Sequence, residues 1–327
     1  MSTTPHDSFF KDVFGPGKGH LASLIPLLDT SLASRIDISS IKYIPGESID
    51  EDLSHSTRTD LTASFLLSRA KVGGGEARIA FIFEHKSFRP QHIHISLLSL
   101  VSALLSRDLR EGGSPRPVIP VLLYHGRTPW KGQRRFSSAL KISPELVPLL
   151  PDFELTIIDL SRFSDETLRE RIVHPEPLVS LTVMKHIFEP PSSVLGHLVR
   201  MIKTLSPPRD IMKRIVNTTL HYISHVNKTQ KPKEIRTLFT TFLAEEKMPT
   251  VLDLLKEEGI QEGIEKGIEK GVRIGIEKGQ DKAITGLLQH SPLSPQQIAS
   301  FLDVDLSRVL KLADSLPHGP HGETPKE

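Results

Sequence analysis

The 327-residue chain has no cysteine. Disulfides and thiolate-bound metals are therefore excluded. Charge of one sign is also scarce, with 41 Lys+Arg against 39 Asp+Glu and a formal net charge of +2. The molecule as a whole is no polyanion sponge, so an anionic partner has to meet a local basic patch. No apolar run reaches the roughly 20 residues of a membrane-spanning helix, and the opening MSTTPHDSFFKDVF lacks the apolar core of a signal peptide. The expectation is a soluble, cytoplasmic protein without a membrane partner. What is present is ordinary, 38% hydrophobic and 24% charged. That suffices for at least one full core, with two domains expected from the length.

Periodicity sorts the first half into an α/β pattern. HDSFFKDVF (6–14) carries apolar residues at 9, 10, 13 and 14, a helix stripe, with Asp7 or Ser8 as its cap. HLASLIPLLDTSLA continues as helix with a bend at Pro26. ISSIKYIPGES, RTDLTASFLL, RIAFIFEHKS, RPVIPVLLYHG and DFELTIIDLS read as strands. HISLLSLVSALLSRDLREGG reads as a helix with a glycine stop. The glycines of AKVGGGEA make a turn, so the strands on either side of it form a hairpin. Strands mixed with helices in this order give a mixed central sheet flanked by helices. From about 165 to 250 the chain reads as helices broken at HPEP, EPP and SPP.

RIAFIFEHKS poses a chemical question. Side chains alternate along a strand, so Ile79, Phe81 and Phe83 share one face while Ala80, Ile82, Glu84 and Lys86 share the other. A hairpin centred near Val72 puts Asp60 across from Glu84. Two carboxylates at one end of the hairpin, with the His85 backbone carbonyl, suit a hard divalent cation such as Mg²⁺, with Mn²⁺ as a substitute. A neighbouring ammonium, Lys86, can orient water and steady charge on a phosphate. On spacing alone, an exposed strand-end salt bridge worth little accounts for these residues better.

The wider sequence resembles the PD-(D/E)xK nuclease superfamily, and within it the Rpn/YhgA-like recombination-promoting nuclease and transposase family. The matching words are HDSFFKDVF, ESIDEDL at 47–53, TDL at 59–61, FEHKS at 83–87, VIPVLLYHGRTPW at 118–130 and DFELTIIDLS at 152–161. The resemblance spans about residues 5–165. Thr59 stands where the superfamily signature has proline. The resemblance implies a restriction-endonuclease-like core and Mg²⁺-dependent DNA cleavage, with Asp60, Glu84 and Lys86 catalytic. Asp60, Glu84 and the His85 carbonyl would be the metal ligands. A catalytically silent DNA-binding or scaffold protein and a phosphodiesterase acting on RNA are the alternatives.

Other polar residues have two readings each. His6 and Asp7 either touch metal or DNA, or form a helix cap with a nearby ring. Glu47, Asp50, Glu51 and Asp52 form a solvated loop or lend an outer carboxylate. Tyr124, His125 and Arg127 contact a phosphate, or Tyr124 and Trp130 cover the core edge. His92 and His94 are expected at the surface at a helix start.

Beyond residue 250, glycines 259, 263, 267, 271, 275 and 279 recur every four residues, each followed by Ile or Val up to 276. Glu262–Lys266 and Glu269–Arg273 pairs favour a helix. A four-residue period overshoots the helical repeat by about 40° per unit, a poor match to a coiled coil. The run is either a self-association helix, giving a homo-oligomer through residues 259–279, or a spacer. SPQQIASFLDVDLSRVLKLAD then reads as a helix pair opened by Ser294, Pro295 and Gln297. Arg308 and Lys311 are offset by Asp314, so packing fits it better than groove reading. The expected organisation is a nuclease-like domain (1–165), a helical region (166–250), the repeat helix (251–283), a small helical hairpin (284–316) and a disordered tail (317–327).

Overall fold

The computed structural model describes residues 4–17, 19–44, 60–72, 75–140 and 142–316, without the side chains of 68–72, 75–77, 258 and 262. The acidic cluster at 47–52, Thr59, the Glu262 side chain and the 317–327 tail lie outside the described residues. The chain forms two compact units, residues 1–252 and 253–327.

In chain order the first unit contains α1 (Pro5–Phe14), α2 (Thr30–Ala33), β1 (Ile36–Tyr43), β2 (Leu61–Val72), β3 (Gly75–Lys86), α3 (Ile93–Arg110), β4 (Val118–Tyr124), α4 (Phe136–Leu140) and β5 (Thr156–Asp159). The helices α5 (Asp165–Arg171), α6 (Pro175–His186), α7 (Pro191–Leu205), α8 (Arg209–Val226) and α9 (Pro232–Glu245) follow. Then come α10 (Pro249–His290), α11 (Pro295–Leu302) and α12 (Leu306–Ser315). The fold is α/β: a mixed sheet followed by a largely helical region.

The five strands line up in the order β1-β2-β3-β4-β5. The first three are antiparallel and β3, β4 and β5 are parallel. All five expected strand segments form strands. The β2–β3 register pairs Leu61 with Phe83 and Ser64 with Ala80, the same alignment that a centre near Val72 predicts. The turn itself lies further on, because Val72 pairs with Gly75. An irregularity between Leu66 and Lys71 absorbs the offset, as an extra unpaired residue does in a bulge.

The central strands β3 and β4 are buried on both faces, whereas edge strand β1 is half-buried or exposed along most of its length. Ala80 and Ile82 of β3 pack with Leu122 and Tyr124 of β4 against Ile93, Leu97, Leu100 and Leu104 of α3, and Trp130 joins this core. Tyr124 and Trp130 meet edge to face at 5.2 Å, so they are core residues and not phosphate contacts. Gly126 permits this arrangement, since a Cβ there would stand 2.0 Å from the Tyr124 hydroxyl oxygen. On the other face, Phe9, Phe10, Val13 and Phe14 of α1 are buried.

Three local expectations change. The cap of α1 is Thr4, with Asp7 as its reciprocal partner: Asp7 N–H donates to Thr4 Oγ1 at 3.2 Å and Thr4 N–H to Asp7 Oδ2 at 3.2 Å. Thr4 reaches the N3 amide from outside the helix, a position that Asp7 and Ser8, already helical, do not hold. His20–Leu27 winds as a 3-10 helix with Pro26 inside it; proline there has no N–H to give to a regular α-helical ladder. His94 is buried, with its Nε2 3.3 Å from the Arg134 carbonyl oxygen and its ring between Phe136 and Phe153. His92 stays exposed at the start of α3.

In the second unit the repeat is helical throughout α10. Its Ile260, Ile264, Ile268, Val272 and Ile276 are half or more exposed. Past the repeat, Ile284 forms a small core with Ile298, Ala299 and Val309, and the expected Ser294–Gln297 capping box opens α11. A Cβ on any of the six repeat glycines would meet nothing within 4 Å. Replacing Gly263, Gly267, Gly271 and Gly275 by alanine should therefore stabilise the helix by roughly 1 kcal/mol per site. Circular dichroism checks this: a four-alanine variant that melts earlier than wild type would mean the glycines are needed in a contact.

Candidate active site

Two strands and one helix supply the centre. Asp60 sits at the entry of β2, Glu84 and Lys86 at the exit of β3, and α1 crosses behind them. The pairing that aligns Leu61 with Phe83 brings Asp60 beside Glu84, and the Asp60 N–H donates to Glu84 Oε1 at 3.3 Å. Lys86 Nζ lies 3.1 Å from Glu84 Oε2 and 3.8 Å from Asp60 Oδ2. One ammonium thus touches both carboxylates.

His85 holds the set together through its backbone. Its N–H donates to Asp60 Oδ2 at 2.9 Å. The next carbonyl, of Lys86, accepts from His125 N–H on the β4 side at 3.2 Å. Backbone groups of successive strand residues point to opposite edges, so the His85 carbonyl lies on the Asp60 edge. The residues that the sequence singles out are therefore neighbours in space.

The electrostatics follow from burial. Glu84 is 7% exposed. Desolvation and the like charge of Asp60 push its carboxyl up to about 6, with Lys86 pulling the other way. Burial opposes the charge on Lys86, but Glu84 and Asp60 outweigh it and raise its pKa. A second ammonium, Lys11 of α1, reaches Asp60 Oδ1 at 3.2 Å. The sequence reading missed Lys11, although its place one turn after Asp7 on the same helix face was readable.

Behind the centre runs a chain of rings. His85 Nδ1 is 3.5 Å from Asp7 Oδ1, and its Nε2 is 2.9 Å from His125 Nδ1. His125 Nε2 is 3.3 Å from His6 Nδ1, and Tyr222 of α8 sits 2.7 Å from the same His6 nitrogen. Burial lowers the pKa of His85 and His125 and takes His6 to about 4, so all three rings are neutral at pH 7. Burial works against the Asp7 carboxylate, but hydrogen bonds from His85 and Thr4 hold its pKa well below the usual range. Asp7 is thus both part of the helix cap and part of the centre: its oxygen, one of Asp60 and a ring nitrogen of His85 lie within 4.8 Å of one another. His125 is a buried member of this chain. Arg127 instead lies over Phe188, 4.8 Å from the ring centroid.

Two carboxylates of hard oxygen donors, with a carbonyl on the same edge, fit a divalent cation of the Mg²⁺ class. The two lysine ammoniums on Asp60 supply positive charge where such a cation would sit. No curated protein and no solved structure matches the chain. One family model, described as "Putative transposase, YhgA-like", matches residues 4–246, a span that takes in the sheet, the Asp60–Glu84–Lys86 centre and the helices through α9. The chain belongs to this YhgA-like transposase family.

Proposed function

We propose that the protein is a metal-dependent DNA endonuclease of the PD-(D/E)xK kind, serving recombination or transposition. The observation that carries this reading is the single ammonium of Lys86 in contact with both Glu84 and Asp60 at the end of an otherwise apolar strand. Two adjacent carboxylates, each about nine-tenths buried and held by Lys86 and Lys11, carry a desolvation cost that a strand-end salt bridge does not require.

Asp60, Glu84 and the His85 carbonyl would hold Mg²⁺, with Mn²⁺ as a substitute. The ion, when bound, polarises a phosphate oxygen and acidifies water. Lys86 orients the attacking water and offsets negative charge as it builds on the phosphate. Water oxygen bonds to phosphorus, the bridging P–O bond breaks, and the leaving oxygen takes a proton. His85, stacked on Phe10 at 5.1 Å, keeps its N–H on Asp60 and so fixes that carboxylate.

Supercoiled plasmid incubated with purified protein should be nicked with Mg²⁺ or Mn²⁺ and left intact with chelator. Intact plasmid in all three conditions would leave the silent DNA-binding reading. Cleavage of single-stranded RNA in preference to plasmid would reassign the substrate. The repeat helix is the element through which two copies would pair, so that both strands of a duplex are cut. Light scattering on the four-alanine variant tests this: an unchanged mass would leave α10 as a spacer.

A further inference from the structure

The sheet edge beside the centre carries a row of arginines that the reaction as described does not use. Lys86, Tyr124 and Asp159 are register partners at the carboxyl ends of β3, β4 and β5. Each is followed three residues later by an arginine: Arg89, Arg127 and Arg162. All three are exposed. Phe88, between Lys86 and Arg89, is 63% exposed. We propose, on the endonuclease reading, that this edge is the DNA-docking surface: Arg89 and Arg127 hold phosphates flanking the scissile one, and Phe88 stacks on an adjacent base.

Position comes first. Parallel strands release their chains in one direction, and ligands of open α/β sheets gather outside those carboxyl ends. Neighbouring strands lie about 4.8 Å apart, and three residues of chain reach at most about 11 Å. Arg89 and Arg127 are thus tethered close to Lys86, on the side from which a phosphate approaches the centre. Burial and Asp159 raise the Tyr124 pKa while Arg89 pulls it down, so the Arg89 guanidinium lies on the β4 side.

Charge decides which members of the row are free to bind. Arg162 is occupied: its Nε donates to Asp159 Oδ2 at 3.2 Å and its Nη2 to the Trp130 carbonyl oxygen at 3.4 Å. Neither Arg89 nor Arg127 meets a carboxylate among the described residues. Arg127 is held over the Phe188 ring, 4.8 Å from its centroid. That cation–π contact fixes the planar group through its face and leaves the in-plane N–H donors to solvent. Less side-chain freedom is then lost when a phosphate arrives to take two parallel hydrogen bonds.

Phe88 adds a contact of the other kind. It stands two residues past Lys86, at most about 7 Å further along the chain. Every base has a π-face, so an exposed ring there grips DNA without reading its sequence. Guanidiniums on phosphates carry no sequence information either. A surface of two arginines and one phenylalanine therefore holds DNA of any sequence at the metal centre.

Fluorescence anisotropy of a labelled duplex with the full chain, in Ca²⁺ in place of Mg²⁺ so that binding is read without cleavage, tests the surface. For wild type, log K should fall with log salt at a slope of at least about 2 in magnitude, two phosphates at about 0.9 each. Arg89→Gln and Arg127→Gln should each lower that slope by about 1, equally on two duplexes of unrelated sequence. Phe88→Ala should weaken binding at least about 5-fold at every salt concentration with the slope unchanged, and Phe88→Trp should keep wild-type affinity. Lys233→Gln removes an exposed charge from α9, which packs on α7 and α8, and should leave the slope as it is. A wild-type slope below about 1, which needs no variant to fold, would overturn the proposal. So would full slopes in both arginine variants, an equal fall in Lys233→Gln, or unchanged affinity in Phe88→Ala. Nicked plasmid with full slopes in the arginine variants would sink this surface and leave the endonuclease reading standing. Lowered slopes with intact plasmid would support the surface and return the centre to the silent DNA-binding reading.

Discussion

Glu84→Gln should cut plasmid nicking by at least about 10³-fold, the scale of losing one stabiliser of developing charge, yet leave the metal-free fold no weaker at pH 8. The two halves have one cause. Burial and Asp60 raise the Glu84 carboxyl from 4.5 to about 6 against the pull of Lys86. The folded chain thus holds this proton more tightly than the unfolded chain. The associated stability is complete below about pH 4.5 and is lost as pH rises through about 6, a loss of up to about 2 kcal/mol. Glutamine carries no charge and escapes that loss. Urea unfolding in chelator at pH 5 and pH 8 reads it: wild type should lose stability relative to the variant over that interval. A variant that falls further behind at pH 8 would show that the Lys86 pair dominates. Asp60→Asn should abolish nicking to the same degree, and persistent cleavage by either variant would assign the activity elsewhere.

Phe10→Ala should be the costliest single truncation in α1, at about 3–5 kcal/mol. The ring is fully buried, stacks on His85 at 5.1 Å and meets Phe14 at 5.2 Å. Removing it opens a cavity against the strand end that carries Glu84 and Lys86. His85 would lose its backing, and with it the firm placement of Asp60, so nicking should fall along with stability. Ser8→Ala on the exposed side of the same helix should change stability by no more than about 0.5 kcal/mol. Denaturant midpoints of the two variants make the comparison, and equal costs would mean that α1 is not docked as described.

How much of this was readable in advance depends on the range of the interaction. The strands and the alignment of Asp60 with Glu84 follow from period-two patterning and one glycine turn, both local signals. The bulge between Leu66 and Lys71 left that alignment intact at the site end because it falls between the site and the turn. Thr4, the actual cap, lies three or four residues before Asp7 and Ser8, because helix ends are the least legible part of a periodic pattern. The backing of the site was not legible. His6 meets Tyr222 across 216 residues, and nothing in the local word PHDSFF announces a tyrosine on α8. His94 reads as a surface residue until Phe136 and Phe153 fold over it.

The His6–Tyr222 contact has a consequence for the order in which the protein is made. Phe9 stacks on Tyr222 with ring centroids 4.0 Å apart, so the helix that backs the Asp60–Glu84–Lys86 centre finds its seat only after α8 has emerged. At about 5–20 residues per second, the ribosome needs roughly 10–40 seconds to cover that interval. From residue 86 onward Asp60, Glu84 and Lys86 are already synthesised, but until Tyr222 follows Asp7 and Lys11 lack the surface that fixes them. A nascent chain, or one cut short by a premature stop codon before Tyr222, carries Asp60, Glu84 and Lys86 without the brace that stands behind them.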